Sequence, residues 1–105
     1  PAGRSPGGMM QQIKQMQEDI KKIQQQINES TFYGQAGGSV VKVAVKGTKE
    51  VLSINIKKEE VDLTDIEMIQ DLIVAALNDA FKKVDKELGE SLGAVTQGVN
   101  MPGLF

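Results

Sequence analysis

Cysteine, histidine and tryptophan are all missing from these 105 residues, and aromatics make up only 4%. Without cysteine there is neither a disulfide framework nor a thiolate metal site, a composition that fits a reducing cytoplasm. Without histidine, the commonest general base and the commonest transition-metal ligand are gone together. With so few aromatics, the interior must be aliphatic. Arginine occurs once, as Arg4, so bidentate recognition of guanine is almost out of reach. No run approaches the roughly 18–20 apolar residues a membrane helix needs, and no membrane partner is expected. The opening PAGRSPGG has no apolar signal-peptide core, and residues 1–8 are expected to be a disordered leader.

What remains is one domain, residues 9–105, with a small core. Its strongest pattern lies around DLIVAALNDA (residues 71–80). Ile66, Ile69, Leu72, Ile73, Ala76, Leu77, Ala80, Phe81 and Val84 recur at three- and four-residue steps. That apolar stripe takes about half the helix circumference, more than the roughly 100° a surface helix needs. A chain this short has little interior to cover it, so a second copy is the expected cover. Thr64 with Glu67 fits a capping box at the start of this helix, which is expected to end near Leu88, where Gly89 and Gly93 weaken it. Upstream, Met9, Ile13, Met16, Ile20, Ile23 and Ile27 form a heptad seam in a helix running to about Glu29. That helix either lies across a sheet or projects as an arm. Between the helices the period changes to two. Val41, Val43 and Val45 face one side and Lys42, Ala44 and Lys46 the other. Gly47-Thr48 makes a hairpin turn, and Leu52, Ile54 and Ile56 return on the inner face. Residues 30–33 could open a further strand, which GQAGG (residues 34–38) breaks with a bulge or tight turn. The expected class is α+β: a long helix, a meander of about three antiparallel strands, and a second long helix.

The AGGSVVKVAVKG strand, the DLIVAALNDAFKKV helix and the closing MPGLF together resemble the YbaB/EbfC family. The resemblance runs from about Met9 to Phe105. Members of that family are small bacterial nucleoid-associated proteins that bind DNA as homodimers. The resemblance implies an intertwined homodimer with a shared core of strands and second helix, first helices standing out as arms, and a nucleoid location in the cytoplasm. The dimer and core positions expected are Val41, Val43, Val45, Leu52, Ile54, Ile56, Leu72, Ile73, Leu77 and Phe81.

The residues offer little other chemistry. GQAGG leads into a strand, whereas a phosphate-binding P-loop leads into a helix, so it reads as a bulge. Glu59, Glu60, Asp62 and Asp65 do not follow calcium-loop spacing and read as a solvated start to a helix. No nucleophile has a base beside it, and no cofactor or enzyme activity is expected. Lysines are the functional candidates: Lys14, Lys21 and Lys22 on the first helix, Lys42 and Lys46 on the strand, and Lys82, Lys83 and Lys86 on the second helix. Any one of them is better explained as solubilising surface. As a set repeated by a two-fold axis, they could reach phosphates on both sides of a duplex. The formal net charge of −2 opposes this. The distribution helps, because residues 30–58 hold five lysines and one acid. Phe32 and Tyr33 stand together, without the interleaving that stacks unpaired bases, so duplex is favoured over single strands. The competing reading is a protein-interaction module. In it the Met9–Ile27 seam docks a partner helix, in a DNA repair or replication complex.

Overall fold

The computed structural model describes residues 6–99. Helix α1 (Pro6–Glu29) is followed by strands β1 (Thr31–Ala36), β2 (Val41–Lys46) and β3 (Val51–Ile56). A single 3-10 turn at Lys58–Glu60 then leads to helix α2 (Ile66–Val99). The strands form one antiparallel meander in the order β1-β2-β3. The α+β class expected from the sequence is therefore the one observed. Among the described residues, no helix is long and apolar enough to cross a membrane.

Alternation along β2 makes the sheet two-faced. Val41, Val43 and Val45 are buried, while Lys42 and Lys46 are exposed. α2 lies on the buried face over β1 and β2, where Ala76, Ala80 and Val84 complete the core with the three valines and Ile27. The helix sits close because the facing residues are small. A Cβ at Gly34 would meet the Ala76 carbonyl oxygen and lie 2.6 Å from the Ala80 nitrogen. Here glycine is the residue that permits the approach. α2 also covers the free edge of β1. Asp79 Oδ2 accepts a hydrogen bond from the Gln35 amide at 3.1 Å, and Lys83 Nζ donates to the Tyr33 carbonyl at 2.8 Å. Two outward-facing backbone groups of this edge strand are thereby paired.

Several sequence expectations need correction. Gly34 does not break β1, which runs through it to Ala36. The reversal comes at Gly37, Gly38 and Ser39, all with positive φ. The bulge is in β3 instead: Ala44 pairs with Ser53 and Val45 with Val51, leaving Leu52 extra. That added residue lets odd-numbered Val51 face the same side as even-numbered Ile54 and Ile56. The N-cap of α2 is Asp65, whose Oδ1 accepts the Met68 amide at 3.1 Å. Thr64 cannot serve, because its hydroxyl and amide both bond Asp62 Oδ1. α2 does not stop near Leu88 but continues to Val99. Leu88 packs on the core, and Leu92 and Val95 are half-buried. An apolar side that continues past Gly89 and Gly93 offsets their cost of about 1 kcal/mol each. α1 begins at Pro6, so residues 6–8 are helical instead of belonging to the leader, and proline suits a first turn. Pro1–Ser5 and the tail from Asn100 lie outside the described residues.

Two of the inner-face residues are not covered within one chain. Leu52 and Ile54 are each 44% exposed, as Val51 nearly is at 41%. α2 does not reach across to β3, so only Ile56 among the β3 positions is half-buried. Leu72, Ile73, Leu77 and Phe81 are half-buried and pack against the core.

α1 does not lie across the sheet: it packs mainly on α2 and meets the sheet only at β2. Ile27 is buried in the core and Ile23 packs on it, whereas Met9 and Ile13 are 71% and 51% exposed. Ile23 precedes Ile27 and Leu88 follows Val84, yet all four meet at one place. The helices therefore run with opposite polarity away from the sheet. The molecule measures 76 × 26 × 16 Å with a radius of gyration of 20.7 Å, where a compact chain of this length would have about 13 Å. This is a small body carrying a helical arm.

Candidate nucleic-acid interface

Three surfaces carry the candidate cations. On α1, Lys14 and Lys21 are one heptad apart and line a shallow groove with Gln17 and Glu18. Lys22 is exposed beside them. On the sheet, Lys42 and Lys46 stand on the outer face of β2, at strand positions opposite Gln35 and Thr31 of β1. On α2, Lys82 and Lys86 are exposed four residues apart and so share a face.

Lys83 differs from its neighbours. Besides its bond to the Tyr33 carbonyl, it lies 3.5 Å from Asp79 Oδ2. Its ammonium is engaged in fastening α2 to β1 and is a poor candidate for phosphate. Lys49 is similarly engaged with Asp85 at 3.0 Å, which ties the β2–β3 turn to α2. Among the described residues, no salt bridge engages Lys14, Lys21, Lys22, Lys42, Lys46, Lys82 or Lys86. These seven ammonium groups are available to an external anion.

The structure also separates Phe32 from Tyr33. Adjacent strand residues point to opposite faces. Phe32 packs on the core, and Tyr33 is 66% exposed. The alternation in TFYGQA carried this information, and it escapes any reading that treats the two rings as one aromatic cluster.

The acidic residues before α2 form a local turn. Asp62 is held below the usual carboxylate range, first by the Thr64 hydroxyl and then by the Thr64 amide. Among the described residues, no group of three or more His, Cys, Asp or Glu side chains converges as a metal site would require.

The described residues form a small α+β protein with exposed lysines on three surfaces. The sequence matches the model of the YbaB/EbfC DNA-binding family over residues 3–99, and the chain belongs to that family. It is a family of DNA-binding proteins, not of enzymes. A nucleoid-associated protein of Caldanaerobacter subterraneus is 41% identical over 105 residues, spanning all of this chain and 95% of that protein. One from Exiguobacterium sibiricum is 48% identical over 97 residues, 92% of each chain. The crystal structure of an uncharacterized protein from Helicobacter pylori is similar with a TM-score of 0.62. At 21% identity, covering 94% of this chain and 98% of that one, it shows a shared fold.

Proposed function

We propose that this chain is a nucleoid-associated protein that binds duplex DNA as a homodimer and organises it. It does so mainly through the phosphate backbone and with little sequence preference. The observation that carries the reading is that seven of the candidate lysines are exposed and without ion pairs among the described residues, on a chain from a DNA-binding family. Lysine is a mobile point charge and suits phosphate better than base edges. With arginine confined to Arg4 and no base-reading helix motif, affinity has to come from counterion release. Lys14, Lys21, Lys22, Lys42, Lys46, Lys82 and Lys86 are the contacts proposed; Lys83 stays with the fold. A second copy would cover Val51, Leu52 and Ile54 and double the cation count.

The test is binding to a random duplex by fluorescence anisotropy across a salt series. Log affinity is expected to fall linearly with log salt, with a slope of about −0.9 per phosphate contacted. Replacing Lys14, Lys21 and Lys22 by Glu should abolish binding at moderate salt. Wild-type affinity in that variant would remove α1 from the interface.

One observation favours a second reading, in which a partner protein docks on the arm: Met9, Met10 and Ile13 are more than half exposed. Exposed methionines suit an adaptable protein contact. Met9→Asp with Ile13→Asp isolates that reading, because neither residue belongs to the core. Loss of duplex binding in this variant would count against it.

A further inference from the structure

The outer face of the sheet carries no role in the duplex reading beyond its two lysines, yet its layout is specific. The pairing register aligns three cross-strand rows on it: Thr31–Lys46, Tyr33–Ala44–Ser53 and Gln35–Lys42–Asn55. Tyr33 occupies the middle row at the β1 edge and is 66% exposed. Its row neighbours, Ala44 and Ser53, are small, so nothing bulky overhangs the ring from the strands beside it. Lys42 and Lys46 stand on the two diagonals, about 7–8 Å away by strand geometry. Both are exposed and outside the salt bridges described. Gln35, whose Oε1 already accepts from Ser39 Oγ at 2.8 Å, and Asn55 flank Lys42 with amides that can still donate, and in Asn55 also accept. The residues of these three rows are not acidic; Glu50, whose carbonyl accepts the Lys46 amide at 2.8 Å, stands next to Lys46 at the rim of the face, so Lys42 is the less screened of the two cations.

We infer that this face binds single-stranded nucleic acid. The Tyr33 ring stacks on one unpaired base, Lys42 and Lys46 hold the phosphates to either side, and Gln35 and Asn55 meet base edges. An exposed ring flanked by cations on a sheet face is what an unpaired strand requires: a π-face for the base and positive charge for the backbone. Duplex can use the two lysines but not the ring, because its base faces are buried in the stack. The inference departs from the sequence reading for one reason: the strand turns Phe32 inward and leaves Tyr33 alone on the charged side. It does not rest on the duplex reading, which concerns the lysines and leaves Tyr33 unused.

The experiment uses the full chain with fluorescein-labelled oligomers of thymidylate and of uridylate, and a duplex of equal length. Tyr33 is the only tyrosine and tryptophan is absent, so intrinsic fluorescence corrected for oligomer absorption reports on this one ring. Quenching on addition of the oligomers is expected, with less on addition of duplex. Tyr33→Thr should weaken oligomer binding by about 5- to 150-fold, the range for loss of one stacked base. Tyr33→Phe should keep it within about twofold, and duplex affinity should be unchanged in both. A preference between the two oligomers would assign the strand as DNA or RNA. The inference is overturned if Tyr33→Thr binds the oligomers as wild type does, or if it loses duplex and oligomer binding equally. It is overturned too if the oligomers leave the tyrosine emission unchanged. Oligomer binding with no duplex binding would sink the duplex reading and leave this one standing.

Discussion

Gly34 and Gly89 differ in what surrounds them, and that difference decides what each contributes. At Gly34 an added methyl would collide with the α2 backbone at Ala76 and Ala80, and neither helix nor strand can yield without opening the core. Gly34→Ala is expected to destabilise the protein by about 3 kcal/mol, at the upper end for overpacking. At Gly89 nothing lies within 4 Å, so Gly89→Ala should stabilise by about 0.5–1 kcal/mol through helix propensity. Urea unfolding of both variants checks the pair, and equal effects would mean that α2 does not approach β1 as described. At this scale the lysines were legible as a set but not one by one. Sequence spacing placed Lys82, Lys83 and Lys86 in one cluster. It could not tell that the middle residue reaches the Tyr33 carbonyl, because that contact spans 50 positions. The separation of Tyr33 from Phe32 follows from a simpler signal, the two-residue period of β2 extended back through β1.

Elements were legible where one period held throughout, and less so where two local solutions competed. The heptad seam, the alternating valines and the wide stripe of α2 all lie in the elements they predicted. Element ends were harder. Both Thr64 and Asp65 are good N-caps, and the choice fell to Asp65 because Asp62 captures Thr64 in a turn. Asp65→Ala should therefore cost about 1 kcal/mol of stability. Thr64→Val should instead release Asp62. The Asp62 carboxyl sits below its ordinary range, so the small stability it lends is present at neutral pH and lost as pH falls through its folded value. Carbon-detected NMR titration of Asp62 should show its midpoint rising in Thr64→Val, and an unmoved midpoint would exclude the hydroxyl as the cause. At the far end of α2, glycine propensity alone predicts a stop near Leu88, and the partial burial of Leu88, Leu92 and Val95 carries the helix on.

For the whole molecule, the wide apolar stripe led to the expectation of a second copy, and the structure moves attention to β3. Its inner face continues the core sheet, yet Val51 and Ile54 are more than two-fifths exposed where α2 falls short. This is the surface on which the proposed second copy would sit. Val51→Asp with Ile54→Asp is expected to leave the isolated fold intact, since neither residue is buried in it, and to yield monomers in sedimentation equilibrium. Dimers in that variant would show that another surface holds the copies together. One feature of the arm has a mechanical consequence. α2 is a single unbroken helix that serves the body from Ile66 to about Val84 and the arm beyond Leu88. The helix stays continuous through Gly89 and Gly93, where body passes into arm. A tilt of about 10° where it meets the sheet would swing its last residues, about 17 Å further out, by about 3 Å. Grip at the body and reach at the arm are thus geared together, and the body works as the fulcrum of a lever.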